Sequence, residues 1–447
     1  MSDRPVRVAV VGSGPAGFYA AGALLASDEP AFEVDMVERL PTPWGLVRLG
    51  VAPYHPNIKA VSRAFEKIAA TEGFRFFGNV AIGRDVTHAE LAERYDAVLY
   101  AVGAQTDRQL GIPGEDLPGS WPATAFVAWY NGHPDFQDLE FDLSHERAVV
   151  IGNGNVALDV ARMLALTPEE LAPTDTTDEA IAAINESGIR EVLVVGRRGP
   201  VQAAWTPVEV GELGELAGAD IHVEPGDLEL DDASATELEA APPTVKRNVE
   251  HLRGYAGRPA TGKPRSIRLR FLSSPVAIVG NGKVEGIELV RNQLVDGRAV
   301  ATDDRETVPC GIVFRSVGYR GVELPGIPFD PATGTIPNEG GRVAPGLYVA
   351  GWIKRGPSGV IGTNKKDATE TVELVLEDAR AGALPAASGE DLEALLAERG
   401  VEHILYAGWE GIDAAERAAG EPRGRPRVKL CTWDELLAAA RGQPASR

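Results

Sequence analysis

Two glycine-rich turns, each directly after an apolar run that predicts a buried strand, constrain this chain more than any other feature. The first turn covers residues 12–17 and follows a strand predicted over 6–11. The second covers residues 152–157 and follows a strand predicted to begin at Arg147. A strand, a glycine turn and a helix in this order open a Rossmann-type βαβ unit. The sequence therefore predicts the α/β class, with two Rossmann-like dinucleotide-binding domains.

The residues beyond the two turns select different nucleotides. Glu38 ends the strand after the first turn, where a carboxylate accepts hydrogen bonds from a ribose 2′-hydroxyl. Arg197 and Arg198 follow the strand after the second turn, where paired guanidiniums neutralise a 2′-phosphate. The expected cofactors are FAD and NADP(H); the alternatives are a simple packing turn and a solvated arginine pair. The turn residues predicted to bind them are Gly12, Gly14, Gly17, Gly152, Gly154 and Ala157.

The predicted FAD domain is discontinuous in sequence. It comprises residues 1–105 plus 325–380, with the NADP domain over 106–324 and a C-terminal extension over 381–447. In its second part a strand ending near Ala350 is followed by a glycine-rich turn and a helix. A helix N-terminus there offers N–H groups to an anion or a polarised ring edge.

Two segments are predicted to lie at the surface. An insertion after the second βαβ helix, residues 167–188, is expected to form a surface helix. Residues 216–270 are irregular, with acidic residues followed by a basic run, and solvated loops and edge strands are expected there. The alternative for the basic run is that it docks an acidic partner.

Composition limits the partners and the chemistry. The formal net charge of -21 argues against nucleic acid or an anionic membrane as the main partner, and no apolar run has membrane-spanning length. Cys310 and Cys431 form no Cys-x-x-Cys pair, which excludes a redox dithiol and a cysteine-ligated cluster within the chain. The N-terminus leads straight into a strand, so a cytoplasmic location is expected, although a chain that had lost a targeting peptide would look the same.

Four titratable residues are ambiguous from their sequence context. His55 lies between prolines in a rigid loop, and its alternative role is structural hydrogen bonding. Asp159 lies on the helix after the second turn, where packing on a sheet favours apolar residues and a buried carboxylate needs a partner. Glu209 and Glu212 lie about one turn apart on a predicted helix, and the alternative is that both are surface charges.

Several blocks of sequence together resemble the adrenodoxin reductase family of ferredoxin–NADP(+) reductases. The resemblance extends from Arg7 to about Val375 and is weakest in the acidic stretch 216–245 and in the C-terminal tail. The blocks that carry it are residues 43–48 (PWGLVR), 50–56 (GVAPYHP), 129–132 (WYNG), 154–162 (GNVALDVAR), 195–200 (VGRRGP) and 351–357 (GWIKRGP).

The resemblance implies a flavoenzyme that takes a hydride from NADPH and passes single electrons to a small, acidic iron–sulfur ferredoxin. It implies FAD contacts from Ala16, Glu38, Leu46, Val80, Trp352, Gly359, Val360 and Ile361. It implies NADP contacts from Asn155 and Val156 to the pyrophosphate, from Arg197 and Arg198 to the 2′-phosphate, from Glu209 to the nicotinamide ribose or carboxamide, and from Gly359 to the nicotinamide.

The resemblance also gives the ambiguous residues catalytic roles. It links His55 and Asp159 to a proton path near the flavin, with Glu212 as a further polar candidate. No nucleophile and no metal is needed, because the cofactor carries the redox step. The basic run around Lys246, Arg247 and Arg253 corresponds roughly to the surface where the family docks its iron–sulfur partner.

Other functions stay open at this stage. A flavin-dependent NADPH monooxygenase uses the same pair of nucleotide turns, and a non-catalytic NADP(H)-sensing flavoprotein would also carry them. Flavin dithiol reductases need the missing Cys-x-x-Cys pair. An electron-entry subunit like the small subunit of glutamate synthase would carry an N-terminal cysteine-rich domain, which this chain does not have.

Overall fold

The structure, a computed structural model, describes residues 4–359 and 361–442. Its contacts divide into two units. Unit 1 comprises the described residues up to 106, residues 131–134 and the described residues from 319 onward, and unit 2 comprises residues 107–130 and 135–318. Among the described residues, no helix combines the length and apolar character needed to cross a bilayer.

The strands and helices are numbered along the chain. The strands are β1 (Val6–Val11), β2 (Phe32–Val37), β3 (Phe74–Phe77), β4 (Ala97–Tyr100), β5 (Thr106–Asp107), β6 (Ser120–Pro122), β7 (Arg147–Ile151), β8 (Glu191–Val195), β9 (Ala219–Val223), β10 (Arg265–Arg270), β11 (Ser273–Val279), β12 (Gly286–Val295), β13 (Arg298–Pro309), β14 (Ile312–Arg315), β15 (Tyr319–Arg320), β16 (Arg342–Ala344) and β17 (Leu347–Val349). The helices are α1 (Pro15–Leu25), α2 (Leu46–Leu49), α3 (Pro56–Lys59), α4 (Ser62–Ala69), α5 (His88–Arg94), α6 (Ala123–Tyr130), α7 (Asn155–Ala165), α8 (Pro168–Leu171), α9 (Asp178–Asn185), α10 (Pro207–Leu213), α11 (Asp232–Ala240), α12 (Pro243–Ala256), α13 (Trp352–Arg355), α14 (Ile361–Ala381), α15 (Leu392–Glu398), α16 (Tyr406–Gly420) and α17 (Trp433–Ala440).

Unit 1 is built on a sheet of order β16-β17-β4-β1-β2-β3, parallel except for β16. Val8 of the central strand pairs with Val34 on one side and Ala97 on the other. Its apolar strands are buried because helices cover the sheet, as parallel sheets require. Phe18 of α1 and Val372 of α14 belong to the same buried cluster as the strands, so segments distant in sequence share one core.

Unit 2 is built on a parallel sheet of order β6-β14-β7-β8-β10-β9. Ile151 at the end of β7 pairs with Val195 at the end of β8, so the turns after these strands lie at one edge. A three-stranded antiparallel sheet, β11-β12-β13, packs its apolar side chains into a core shared with β7 and β8. The predicted fold class is thereby confirmed.

The predictions for the two surface segments are wrong in part. Residues 167–188 form two helices, α8 and α9, and residues 174–177 between them are buried. Residues 216–270 contain α11 and α12, and β10 lies inside the sheet between β8 and β9. In β10, charged residues alternate with the buried Ile267 and Leu269. This alternation favours an edge strand, although β10 lies inside the sheet.

The segment predicted as a C-terminal extension contributes to unit 1. Trp409 and Ile412 of α16 and Leu436 of α17 belong to the core cluster that contains β1 and α1. Glu416 of α16 is fully buried. The many charges of this segment concealed its apolar face in the sequence.

Candidate cofactor-binding sites

The first glycine turn of unit 1 is tight on one side and open on the other. Gly12 has φ +103°, and a Cβ there would lie 2.6 Å from the carbonyl oxygen of Ala101. A Cβ on Gly17 would lie 2.0 Å from the carbonyl oxygen of Gly12, so only glycine fits at both positions. A Cβ on Gly14 would meet nothing within 4 Å. The turn therefore leaves its backbone accessible to a pyrophosphate at the N-terminus of α1, which begins at Pro15.

Glu38, at the carboxyl end of β2, is held beside this turn. Its carboxylate accepts hydrogen bonds from the backbone N–H (3.0 Å) and hydroxyl (2.6 Å) of Ser13 and from the backbone N–H of Leu40 (3.1 Å). The N–H of Val80 donates to the carbonyl oxygen of Glu38 at 2.9 Å, which places Val80 at the same edge. Glu38 is half-buried, and its carboxylate oxygens can still accept hydrogen bonds from the hydroxyls of a ribose.

A further turn, residues 44–49, which includes the short helix α2, lies against the first glycine turn. Trp44 has φ +83° and donates its N–H to the carbonyl oxygen of Ser13 at 3.0 Å. A Cβ on Gly45 would lie 3.0 Å from Cα of Gly14. Leu46 is exposed, whereas Arg48 is buried. The indole Nε1 of Trp44 is buried and has no acceptor among the described residues, which fits a site completed by an acceptor-rich ligand such as FAD.

The predicted flavin-end residues lie beyond β17 in the same unit. A Cβ on Gly351 would lie 2.7 Å from Cβ of Ala16, so this turn approaches the N-terminus of α1. Asp367 accepts from the N–H of Gly351 at 2.5 Å and fixes the turn. The indole of Trp352 donates to Ser358 O at 3.2 Å.

The remaining residues of the predicted flavin end follow along the chain. Gly359 is exposed with φ +81°, and Ile361 begins α14. Val360 lies outside the described residues.

His55 is buried in the loop before α3. Its carbonyl oxygen accepts from the N–H groups of Ile58 and Lys59 at 3.1 and 3.2 Å, so its backbone caps the short helix. Its ring lies edge-on to that of Tyr54, with the centroids 4.5 Å apart. The imidazole is thus held in a defined place within unit 1 rather than lying free in solvent.

The second glycine turn, in unit 2, repeats the geometry of the first. Gly152 has φ +142°, and a Cβ there would lie 2.0 Å from Ser316 O, whereas a Cβ on Gly154 would meet nothing within 4 Å. Ala157, in the first turn of α7, is fully buried. Asn155, at the start of α7, accepts from the N–H of Thr206 at 2.9 Å, and Val156 beside it is half-buried. An open glycine turn at a helix N-terminus fits a second pyrophosphate.

Arg197 and Arg198 follow β8 at the same sheet edge as this turn. Their backbones are fixed, because Asn292 Nδ2 donates to Arg197 O at 2.8 Å and the N–H of Leu272 donates to Arg198 O at 3.1 Å. Both side chains are exposed. Guanidiniums presented in this way fit a 2′-phosphate at the nucleotide edge of unit 2.

The three acidic candidates of unit 2 have distinct surroundings. Glu212 of α10 forms an ion pair with Arg162 of α7, both partly buried. Glu209, one turn earlier, is buried, so its interpretation as a surface charge is wrong. Asp159 is half-buried on α7 rather than enclosed under the sheet. The structure thus brings α7 and α10 together and leaves Asp159 partly accessible.

The sequence gives no sign that the carboxyl group of Asp107, near the start of unit 2, has a shifted pKa. Asp107 accepts a hydrogen bond from the hydroxyl of Thr124. Burial raises the pKa of Asp107 to about 6, although this hydrogen bond and Arg315 both lower it. Only the long-range packing of residues that are dispersed in the sequence produces this shift.

The first part of the basic run lies on α12 of unit 2, and its last arginines lie on β10. Asn248, Val249 and Leu252 form the buried face of this helix, whereas Lys246 and the arginines are exposed on the other faces. The exposed basic side chains named from the sequence are Lys246, Arg247 and Arg253. They lie on α12, together with the exposed Glu250, in a protein whose net charge is -21.

Two units that each present an open glycine turn at the carboxyl edge of a parallel sheet define the class of pyridine-nucleotide oxidoreductases with two dinucleotide sites. Residues 6–179 match the family described as pyridine nucleotide-disulphide oxidoreductase. The chain is 53% identical to the NADPH-ferredoxin reductase FprA of Mycobacterium tuberculosis, over 97% of this chain and 99% of that protein. It is 42% identical to the mitochondrial NADPH:adrenodoxin oxidoreductase of Arabidopsis thaliana, over 98% and 96%.

A solved structure of the M. tuberculosis FprA in complex with NADPH superposes with a TM-score of 0.93, at 52% identity, over 98% of this chain and 100% of that chain. The chain belongs to the family of NADPH–ferredoxin reductases. The family expected from the sequence is confirmed. The assignment of individual residues to either cofactor stays a prediction.

Proposed function

We propose that this protein is a ferredoxin–NADP(+) reductase that binds FAD in unit 1 and NADP(H) in unit 2. The observation that carries the proposal is the pair of open glycine turns, one accompanied by Glu38 and the other by Arg197 and Arg198. The names of the relatives support the same activity. When bound, FAD accepts a hydride from NADPH and returns electrons one at a time to an iron–sulfur acceptor.

The residues of unit 1 hold FAD by its phosphates and ribose. The N–H groups after Gly14 bind the pyrophosphate, and Glu38 accepts from a ribose hydroxyl. The exposed Leu46 offers apolar surface to the cofactor, and the buried Val80 is assigned to the same site. The residues assigned to the flavin end are Trp352, Gly359, Val360 and Ile361.

The residues of unit 2 hold NADP(H). Asn155 and Val156 offer the first N–H groups of α7 to its pyrophosphate. Arg197 and Arg198 bind the 2′-phosphate, which NAD(H) does not have. Glu209 binds the nicotinamide ribose or carboxamide.

Three residues are assigned to proton handling. The imidazole nitrogens of His55 and the carboxylates of Asp159 and Glu212 hold or relay protons that accompany hydride transfer. None of them forms a covalent intermediate, so their loss slows the reaction without abolishing it. Complete loss of flavin reduction in His55→Ala with FAD retained would contradict this assignment.

The exposed basic residues of α12 are assigned to the ferredoxin. Lys246, Arg247 and Arg253 present positive charge on a protein whose net charge is -21, so a small acidic partner is attracted locally and repelled elsewhere.

The decisive experiment is an anaerobic titration of the purified protein with NADPH. A yellow protein whose flavin absorbance is bleached by NADPH, and restored on adding an oxidised ferredoxin, supports the proposed activity. A bleached flavin that passes no electrons to ferredoxin indicates a sensor. NADPH-dependent oxygen insertion into an organic substrate indicates a monooxygenase, and a colourless protein that does not take up FAD contradicts all three.

A further inference from the structure

Helix α16 of the C-terminal segment makes two buried contacts to the 44–49 turn, which itself lies against the first glycine turn. Trp409 packs edge-on to Trp44, with the ring centroids 4.8 Å apart and the planes at 77°. Glu416 accepts two hydrogen bonds from the guanidinium of Arg48, at 2.8 and 2.5 Å. Trp409 and Glu416 are seven residues apart and so lie on one face of the helix.

The ion pair between Arg48 and Glu416 is fully removed from solvent. The side chain of Arg48 is 3% exposed and that of Glu416 is 0% exposed. Burial favours the neutral form of Glu416, but Arg48 and Arg427 outweigh it and hold the pKa of this carboxyl below its ordinary value. A buried, bidentate arginine–carboxylate pair fixes the geometry of both partners.

Further contacts from the C-terminal segment hold the same turn. Lys429 is buried and donates to the backbone carbonyl of Arg48 at 3.2 Å. The guanidinium of Arg48 also lies over the ring of Trp409, 5.3 Å from its centroid. Arg427 donates to Glu416 at 3.0 Å, so the carboxylate links Arg48 both to α16 and to the segment after it.

The 44–49 turn needs such support. Trp44 has φ +83°, a strained conformation for a residue with a side chain, and it persists only when its surroundings hold it. The N–H of Trp44 bonds to Ser13 O, and Gly45 lies against Gly14. Any movement of this turn is therefore transmitted to the glycine turn that faces the FAD phosphates.

We propose that α16 is part of the FAD site, with Trp409 and Glu416 acting as positioning residues that press the 44–49 turn against residues 12–17. This inference rests on the proposed binding of FAD to unit 1. It gives the C-terminal segment a role in cofactor retention. The helix touches the loop that carries Leu46, and its effect reaches FAD through Trp44 and Arg48.

Two variants of the holoenzyme test the proposal. Glu416→Gln keeps the shape of the side chain and removes its charge, and Trp409→Leu keeps an apolar group and removes the ring that supports Trp44. The rate of FAD release is measured from the recovery of flavin fluorescence after the holoenzyme is diluted. We expect both variants to release FAD about tenfold faster than the wild type, and the visible circular dichroism of the bound flavin to change.

The matched control is Glu402→Gln, which breaks an exposed pair with Arg441 in the same C-terminal segment. We expect the release rate of this variant to match that of the wild type. If Glu416→Gln does not fold, Trp409→Leu decides the question, because it leaves no buried charge behind.

The outcomes separate the inference from the function on which it rests. A wild-type protein that does not retain FAD contradicts the proposed function and the inference together. If the wild type retains FAD and both variants release it at the wild-type rate, only the inference fails. A lower unfolding temperature with unchanged release and unchanged circular dichroism would show that α16 is merely structural, and would also overturn the inference.

Discussion

At the scale of single residues, the two nucleotide sites differ in how their selecting groups are presented. Glu38 is bound by Ser13 and half-buried, whereas Arg197 and Arg198 project into solvent from anchored backbones. The carboxylate is oriented before any ligand binds, and its hydrogen bonds also stabilise the turn. The arginines act mainly through their charge, so their removal is expected to affect affinity more than folding.

Replacement of both arginines tests the nucleotide preference. In the double variant Arg197→Ala/Arg198→Ala, KM for NADPH should rise by about 10²-fold, because two charge-assisted contacts to the 2′-phosphate are lost. KM for NADH should change little. Steady-state kinetics with both nucleotides measures the change in preference. An equal rise of both KM values would show that the arginines bind a part of the molecule that the two nucleotides share.

Asp107 provides a pH-dependent test of stability. Its pKa of about 6 in the folded protein exceeds the ordinary value of 3.8. Between about pH 4 and pH 6 the folded state therefore binds more protons than the unfolded state, and this group's contribution to the free energy of unfolding falls as pH rises. Asp107→Asn keeps an acceptor for Thr124 and removes the titration. The free energy of unfolding of this variant, relative to that of the wild type, should rise by on the order of 1–3 kcal/mol between pH 4 and pH 7.

Denaturant unfolding at several pH values measures this difference. The exposed carboxylate Asp116, in the same unit, gives the control Asp116→Asn. Because this side chain is exposed, its replacement should change the free energy of unfolding by less than about 0.5 kcal/mol. A flat profile for Asp107→Asn as well would contradict the raised pKa.

At the scale of secondary-structure elements, the sequence predicted the βαβ units because their signals are local. In the first unit the strand, the glycine turn and Glu38 lie within one short stretch, whereas the insertion over 167–188 separates Arg197 and Arg198 from the second turn. Gly12 and Gly152 have positive φ values, which favour glycine. Helix α12 was not predicted, because its charged residues outnumber the apolar residues of its buried face. The basic residues were recognised from the sequence, but their arrangement on one helix required the structure.

The exposed basic residues of α12 lead to a salt-dependent prediction. The double variant Arg247→Gln/Arg253→Gln should raise KM for an acidic ferredoxin several-fold at low ionic strength, and the difference should shrink as salt screens the charges. Reduction of a neutral quinone should be unaffected. The matched control is Arg63→Gln/Lys67→Gln, which removes two exposed charges from α4 of unit 1. If both double variants weaken ferredoxin coupling equally, net charge rather than α12 governs the encounter.

At the scale of the whole molecule, each unit is assembled from segments that are distant in sequence. Arg48 and Glu416 are separated by 368 positions, yet they form a buried pair in unit 1. No periodicity or motif reports such a contact, so the sequence supports the division into cofactor domains but gives no role for the C-terminal segment. The resemblance to the reductase family was also weakest there. Long-range packing is therefore the part of this fold that required the structure.

The assignment of one cofactor to each unit can be tested by hydrogen exchange of the full chain. FAD should slow exchange at residues 12–17 and 44–49 of unit 1, because a bound ligand lowers the population of locally open states. NADP(+) added to the FAD-bound protein should slow exchange at residues 152–157. NAD(+) should protect the same glycine turn less at equal concentration, since it offers no 2′-phosphate to Arg197 and Arg198. Protection of residues 152–157 by FAD alone would contradict the assignment of the two sites.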